Sequence, residues 1–559
     1  SNPRAPNAYQ RILSGAKSGA VLGAVYGLAD LGAAAIAVGA LFDPGWPSFV
    51  LIAFTLSTVV FLGAALGAVA GFIPISLSAK VKRVGLIAIA FSVFVAGIVA
   101  RYERNHELTA VQKADSEAKS VLFVVVDTTR SDTLYGSDYE FSLAPNTGEW
   151  AKDALLFEDA ESTAGWTIPS MAAMLTGVHN ATFDASAGRL PLWGTTLAEY
   201  LRDQGYETRA VVDNVILEPR NGFAQGFESF DQRSAFRFAF TFPAFRLWPI
   251  EVHEWLRGAV YSAYDGSTDV TDQAIRRLQH AQERPLLLYV HYMDPHAPYY
   301  QHSDQPDVSG ESVNYYRFRD YLREGVDKPP NPSQLSWLRG RYEQEVRHWD
   351  RDFGRLLAAW RKKFGEDGLI VLTSDHGEEF LDHGRLGHGM TVHREMVHVP
   401  LLIDGPECER TGRVPQLVST LDLTPTVVHW ATGRTIPQPL EGPKVQGVSL
   451  RPWLCEGEAP PVRPAFARHS RHGRRVFRFR RGDEAAIRVR YFDDAQRVEN
   501  QRYDLATDPA EQKPLGVGGE LQQSFDQLTV GFERAYDASK ETEDSKAVEE
   551  SLRALGYIQ

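Results

Sequence analysis

Residues 120–132 read Ser-Val-Leu-Phe-Val-Val-Val-Asp-Thr-Thr-Arg-Ser-Asp, an apolar run that ends in charged and hydroxyl side chains. The run 121–126 is typical of a parallel strand, because a strand buried on both faces carries apolar residues at every position. Similar short runs recur at 209–212, 286–292, 369–373 and 400–403. The stretch therefore predicts a mostly parallel sheet with Asp127 at the end of its first strand.

Helical patterns separate these runs. The segments 195–204, 268–282 and 342–364 are predicted helices, and alternation of strands and helices indicates an α/β domain. An arginine-rich alternating stretch at 474–491 predicts a small antiparallel subdomain near the C-terminus. We expect an α/β domain at 120–455 and a C-terminal subdomain at 456–559.

Polar residues are concentrated where the predicted strands end. Asp127 follows the first run, His291 and His296 close the run at 286–292, and Asp375 and His376 follow the run at 369–373. Ligands of open α/β sheets bind at the carboxyl ends of the strands. Carboxylate and imidazole groups suit Zn²⁺ or Mn²⁺, so these strand ends predict a metal site rather than a set of unrelated helix caps.

A further segment, residues 165–177, has the signals of a short helix. Pro169 fits the first turn and Gly177 the C-terminal end. Thr167 then lies at the helix N-terminus, where unpaired amide groups favour an anion. Thr167 could simply cap the helix, but the aspartate and histidine residues at the predicted strand ends favour a functional role.

Four motifs together resemble the sulfatase branch of the alkaline phosphatase superfamily, and the resemblance covers residues 120–559. These motifs are Asp127 with Arg130 and Asp132, the Thr-x-Pro-Ser segment at 167–170, Asp-Pro-His-x-Pro-Tyr at 294–299, and Ser-Asp-His-Gly-Glu-Glu at 374–379.

Two departures from the sulfatase pattern bear on the chemistry. Sulfatases of the formylglycine type have Cys or Ser in a Cys/Ser-x-Pro-x-Arg motif, whereas this chain has Thr167 and, at the arginine position, Met171. Formylglycine sulfatases oxidise this Cys or Ser to an aldehyde, and threonine cannot yield that aldehyde. In addition, Thr128 follows Asp127 where the family usually has a second aspartate. The resulting pattern is similar to that of the membrane-anchored phosphoglycerol and phosphoethanolamine transferases of bacteria.

The resemblance implies a role for each motif residue. It implies one divalent ion, Zn²⁺ or Mn²⁺ with Mg²⁺ or Ca²⁺ as alternatives, held by Asp127, Thr167, Asp375 and His376. Thr167 would be the nucleophile, and the other expected catalytic residues are Arg130, His291, His296 and His388. The expected substrate-binding residues are Arg130, His296, His383 and His388.

Three functions remain open from the sequence. The first is metal-dependent phosphoryl transfer on a membrane lipid or cell-envelope glycan, as a phosphodiesterase or a transferase. The second is hydrolysis of sulfate esters, and the third is a catalytically silent, lipid-binding regulatory role. A formal net charge of −12 argues against nucleic acid as a partner, because nucleic-acid binding requires a basic surface.

The N-terminal region has the composition of a membrane segment. Residues 1–100 carry eight charged side chains, and 18–41, 46–79 and 84–100 predict three transmembrane helices within 1–105. Basic residues precede the first span and separate the second from the third, so the N-terminus is expected in the cytoplasm. After a linker at 106–119, the catalytic domain would then lie outside the inner membrane, in the periplasm or at the cell exterior.

Cys408 and Cys455 are the two cysteines of the chain. Two cysteines exclude a disulfide-rich scaffold and a cysteine zinc cluster. The pair could form one disulfide in an oxidising compartment or remain two separate buried thiols.

Overall fold

The computed structural model describes residues 117–232, 266–313, 328–516 and isolated positions up to 526. Short gaps lie at 137, 181–188, 191–193, 301, 303–304, 409–410, 438–443, 461–462 and 495. The three predicted transmembrane spans and all but the last residues of the linker lie outside the described residues. Within the described ranges, no helix is both long and apolar enough to cross a membrane.

The central sheet is arranged around β1 (Val121–Val126), which pairs in parallel with β5 (Leu286–Tyr292) and β6 (Leu369–Thr373). All three strands are completely buried, as their unbroken apolar sequences predict. Because the three run in the same direction, the residues that follow β1 and β6 and the last residues of β5 meet at one edge of the sheet.

The remaining strands of this sheet are β2 (Leu155–Glu161), β3 (Glu207–Val212), β4 (Ser229–Gln232), β9 (His398–Asp404), β10 (Gly412–Val414) and β11 (Val418–Ser419). The order is β10-β2-β9-β6-β1-β5-β3-β4, with β11 beside β2. Strand β9 runs antiparallel to both β2 and β6, whereas all the other strand pairs of this sheet are parallel. The sheet is therefore mostly parallel, as predicted. A separate two-stranded sheet joins β7 (Glu379–Phe380) and β8 (Leu386–Gly387).

The α-helices of the described residues are α1 (Ser131–Leu134), α2 (Pro145–Trp150), α3 (Thr167–Thr176), α4 (Leu197–Asp203), α5 (Gly266–Gln279), α6 (Pro332–Phe364), α7 (Arg394–Val397), α8 (Leu423–Thr432) and α9 (Arg451–Cys455). Helix α6 begins ten residues before the predicted start at Tyr342. The reason is local, since Pro332 occupies its first turn and Asn331 forms a capping box with Gln334.

Helices cover both faces of the sheet. Alternate residues of β1 point in opposite directions, so Phe123 packs in a core with α3, α4 and α8, while Val124 packs in a second core with α5 and α6. This is the layered α/β architecture that the alternating pattern predicts.

The C-terminal strands form a second sheet of four antiparallel strands. These are β12 (Ala465–Arg471), β13 (Arg474–Arg481), β14 (Glu484–Tyr491) and β15 (Val498–Asp504), within the predicted subdomain. The completely buried Arg478 joins this sheet to the larger one, because its guanidinium contacts Glu161 of β2 at 3.0 Å and Glu511 at 2.5 Å.

The two cysteines are paired. A disulfide joins Cys408, which follows β9, to Cys455 at the end of α9, and their Cα atoms lie 4.9 Å apart. The bridge closes a loop with a sequence separation of 47 residues. Of the two arrangements that the sequence leaves open, the structure contains the disulfide.

Loss of this bridge should destabilise the domain. In the chain-entropy model a loop of this length contributes about 4 kcal/mol, because the cross-link restricts the unfolded chain. We expect the double variant Cys408→Ser/Cys455→Ser to lose about that much free energy of unfolding in denaturant titrations. Reduced wild-type protein is the control and should match the variant. Two free thiols per unreduced, denatured chain would contradict the bridge.

Candidate active site

Two buried carboxylates form the centre of the site. Asp127 follows β1 and Asp375 follows β6, and neither side chain is exposed. Asp127 Oδ1 and Asp375 Oδ2 have no hydrogen-bond partner, although both are buried. Together with His291 at the end of β5, the two carboxylates bring ligand atoms within 4.8 Å of one another. Such unpartnered, converging anionic oxygens fit a bound divalent cation.

Neighbouring groups orient each carboxylate by holding its other oxygen. Asp127 Oδ2 accepts hydrogen bonds from Asn214 Nδ2 at 2.7 Å and from His291 Nε2 at 3.3 Å. Asp375 Oδ1 accepts from the backbone N–H groups of Thr128 at 3.2 Å and His376 at 2.9 Å. One oxygen of each carboxylate is thus fixed by protein donors, and the other remains available to a cation.

The backbone at Thr128 has an unusual conformation that brings its N–H group to Asp375. Its φ of +54° is unfavourable for a β-branched residue, and such strain persists only where the surroundings enforce it. Here the Tyr342 hydroxyl donates to the Thr128 carbonyl at 2.9 Å, and the next N–H, that of Thr129, donates to Ser374 Oγ at 3.0 Å. The strained turn directs the Thr128 N–H at Asp375.

His376 and Thr167 complete the candidate ligand set. The His376 Nδ1–H donates to the Gly377 carbonyl at 2.9 Å, which leaves the lone pair on Nε2. That Nε2 atom lies 3.3 Å from Thr167 Oγ1, 3.4 Å from Asp375 Oδ2 and 3.9 Å from Asp127 Oδ1. Thr167 is the first residue of α3, which Gly177 ends in the left-handed conformation as predicted. The four predicted metal ligands are therefore brought together.

The electrostatics of the two carboxylates also favour a cation. Burial and the nearby charge of Asp127 raise the pKa of Asp375 to about 6. Burial acts in the same direction on Asp127, but the hydrogen bond from His291 and the neighbouring imidazoles outweigh it and lower its pKa. Two carboxylates this close cannot both ionise easily unless a positive charge lies between them.

His296 and His388 lie next to this centre. Their rings are 4.8 Å apart, and the His388 ring is also 4.8 Å from that of His376. His296 Nδ1 donates to the Ala297 carbonyl at 2.5 Å, and His388 Nδ1 lies 2.9 Å from Glu378 Oε1. Burial lowers the pKa of His296 to about 4 and lowers that of His388 as well. Burial thus favours the neutral form of both imidazoles.

Comparison with known proteins agrees with this geometry. The family model described as Sulfatase matches residues 119–433. The chain belongs to the sulfatase family. It is therefore an enzyme of a family of metal-dependent hydrolases, and the Asp127, His291 and Asp375 group fits the divalent ion that such enzymes bind.

Proteins similar to this chain carry different names. The multifunctional alkaline phosphatase superfamily protein PehA of Trinickia caryophylli is 25% identical over 408 residues, which cover 61% of this chain and 78% of PehA. Arylsulfatase K of Xenopus laevis is 30% identical over 250 residues, 42% of this chain and 43% of that protein. The phosphonate monoester hydrolase of Agrobacterium radiobacter has the same fold, with a TM-score of 0.54, 20% identity and coverage of 74% and 95% of the two chains.

Arg130 and His383 lie in other environments than the sequence predicts. The Arg130 guanidinium is held by Asp132, Asp382 and the Glu378 carbonyl, and five hydrogen bonds occupy its five N–H donors. His383 lies 2.7 Å from Glu395 Oε1 through Nδ1 and 2.8 Å from the Glu511 carbonyl through Nε2. Both residues join loops to each other, and the substrate contacts expected of them stay predictions.

His291 also differs from its predicted role. Asp127 can only accept hydrogen bonds, so His291 donates through Nε2, while its Nδ1 lies 2.9 Å from the Tyr289 hydroxyl. Through this hydrogen bond His291 orients Asp127. Sequence analysis missed Asn214 and Tyr289. The position of Asn214, two residues after β3, was a usable signal, whereas Tyr289 is indistinguishable from an ordinary core residue.

Asn214 should control metal affinity although it need not contact the ion. Removal of its amide takes away one of the two donors that hold Asp127 Oδ2, and loss of such an orienting partner typically lowers metal affinity 10- to 100-fold. We expect this loss for Asn214→Ala when metal-free protein is titrated with Mn²⁺ or Zn²⁺ against a competing chelator. Asn500→Ala, at an exposed site in the C-terminal sheet, is the control and should bind as the wild type does. Equal affinities of both variants would refute this role.

Proposed function

We propose that this sulfatase-family enzyme transfers phosphoryl groups from phosphodiesters, as a phosphodiesterase or transferase, with Thr167 as the nucleophile. The observation that carries this proposal is the Thr167 hydroxyl, which lies 3.3 Å from His376 Nε2 beside the two buried aspartates. Threonine cannot be oxidised to the aldehyde that formylglycine sulfatases require. The hydroxyl itself is then the group placed to attack an ester.

Asp127, Asp375, His376 and Thr167 would hold the divalent ion, with Zn²⁺ or Mn²⁺ the best match to carboxylate and imidazole donors. When bound, such an ion lowers the pKa of a hydroxyl and stabilises negative charge on the transferred group. Thr167 is at the N-terminal end of α3, where the helix dipole also favours an anion. The site is thus built to hold a negatively charged ester next to a nucleophile.

The chain's own residues then perform two displacements. Thr167 Oγ1 loses its proton and attacks phosphorus, so an O–P bond forms to threonine and the bond to the leaving alcohol breaks. Nε2 of His388 or His296, whose Nδ1 atoms are engaged by Glu378 and the Ala297 carbonyl, accepts the Thr167 proton and then passes it to the leaving oxygen. Water, or a second alcohol, then displaces Thr167 and restores its hydroxyl.

Sulfate ester hydrolysis is the second candidate. The family model and the arylsulfatase K relatives favour it, and a sulfate monoester presents the same single negative charge and tetrahedral centre as a phosphodiester. Activity on phosphodiesters is favoured here because the nucleophile position holds threonine. The relative PehA, which is named as a multifunctional protein of the alkaline phosphatase superfamily, also supports it.

The nucleophile is tested by Thr167→Ala. We expect turnover of bis(p-nitrophenyl) phosphate to fall at least about 1,000-fold, because the attacking oxygen is removed. Thr167→Ser, which keeps the hydroxyl, should retain measurable turnover. Thr432→Ala, at the end of α8, is the matched control and should leave turnover unchanged.

Two outcomes of this experiment would contradict the proposal. Full activity of Thr167→Ala would remove Thr167 from the mechanism. A wild-type preference for p-nitrophenyl sulfate over the phosphodiester, expressed as kcat/KM, would favour the sulfatase alternative.

Chelation should abolish the wild-type activity on either substrate, and added Zn²⁺ or Mn²⁺ should restore it.

We also propose that the catalytic domain lies outside the inner membrane, anchored by the three predicted spans and close to lipid or envelope-glycan substrates. The disulfide between Cys408 and Cys455 supports this location, because disulfides persist in oxidising compartments. Protease added to intact spheroplasts should release a soluble fragment that begins near residue 110. Protection of the domain until the cells are lysed would reverse the topology.

A further inference from the structure

The first strand of the C-terminal sheet reaches the active site. β12 ends with His469, Ser470 and Arg471, and His469 is 3% exposed. The Gly165 N–H donates to His469 Nδ1 at 3.3 Å, and the Gly165 carbonyl accepts from the Gly389 N–H at 2.8 Å. Gly165 precedes Thr167 by two residues, and Gly389 directly follows His388. β12 therefore contacts the loop that carries Thr167 and lies next to the loop that carries His388.

Arg471 is packed closely between these loops. Its Cζ atom lies 4.8 Å from the centre of the Trp166 ring, the residue before Thr167. A Cβ atom at Gly389 would lie only 2.3 Å from Arg471 Nη1, and the φ of +80° at Gly389 also favours glycine. The absence of a side chain at residue 389 thus makes room for the guanidinium beside His388.

This position matters because a permanent positive charge near Thr167 favours the binding of an anionic substrate. The Arg130 guanidinium has all its donors engaged by protein acceptors. Arginine stays charged under all ordinary conditions, and stacking on an indole uses the face of the guanidinium, whereas its N–H donors point outward in its plane. An arginine stacked on Trp166 is therefore suited to contact an anion near Thr167.

We propose that Arg471, supported by Trp166 and His469, forms an anion-binding subsite that contacts a non-bridging oxygen of the transferred group. The C-terminal sheet is then part of the active site. This inference rests on the proposed function, because its ligand is the tetrahedral anion that Thr167 would attack. It concerns binding alone, and so it can be tested without turnover.

Inorganic phosphate is the probe, and the Thr167→Ala background removes the proposed nucleophile. We expect Arg471→Met in the metal-loaded protein to weaken phosphate binding at least tenfold by calorimetry. Arg471→Lys should lose less, because lysine keeps the charge but not the planar donors. Arg481→Met, an exposed arginine on β13, is the control and should bind phosphate as its parent does.

The fold and metal site are monitored in the same samples through thermal unfolding and metal content, both expected to be unchanged. If Arg471→Met does not fold, Arg471→Lys still decides the question through a smaller but measurable loss of affinity. Phosphate affinity equal to the parent in every folded Arg471 variant would overturn the subsite. That result would leave the Thr167 proposal intact, since loss of turnover on Thr167→Ala is measured separately.

Discussion

The structure depends on the burial of two carboxylates at the ends of adjacent parallel strands. Asp127 and Asp375 each have one buried oxygen without a hydrogen-bond partner, and unscreened like charges in such surroundings repel strongly. A cation removes this penalty. The strained Thr128, the amide of Asn214 and the ring of His291 all fix the opposite oxygens, so the surrounding structure is arranged for the ion.

Buried ion pairs attach the C-terminal sheet to the central sheet. Arg478 and Arg480, both on β13, form buried ion pairs with Glu161 of β2, and Arg478 also contacts Glu511. Buried ion pairs add little net stability, but they are costly to break and can fix the relative position of two elements. Here they hold the small sheet against the large one, and this attachment places His469 and Arg471 on the loops that carry Thr167 and His388.

Local patterns predicted much of this arrangement. The apolar runs predicted β1, β5 and β6 to the residue, because a strand buried on both faces leaves an unmistakable sequence. Arg130 was harder to interpret. Its motif suggested a substrate contact, but Asp382, which is 252 residues away in sequence, occupies its guanidinium. The partners of His383 could not be predicted for the same reason, since they include the carbonyl of Glu511.

The sequence alone determined the α/β class, the strand ends that carry aspartate and histidine, and the threonine at a helix N-terminus. Each of these follows from periodicity or from residue chemistry within a few positions. Only the tertiary structure decided that His291 and Asn214 hydrogen-bond Asp127, that His388 lies beside His376, and that Cys408 pairs with Cys455. Those facts depend on contacts between distant parts of the chain, and no local pattern records which side chains meet there.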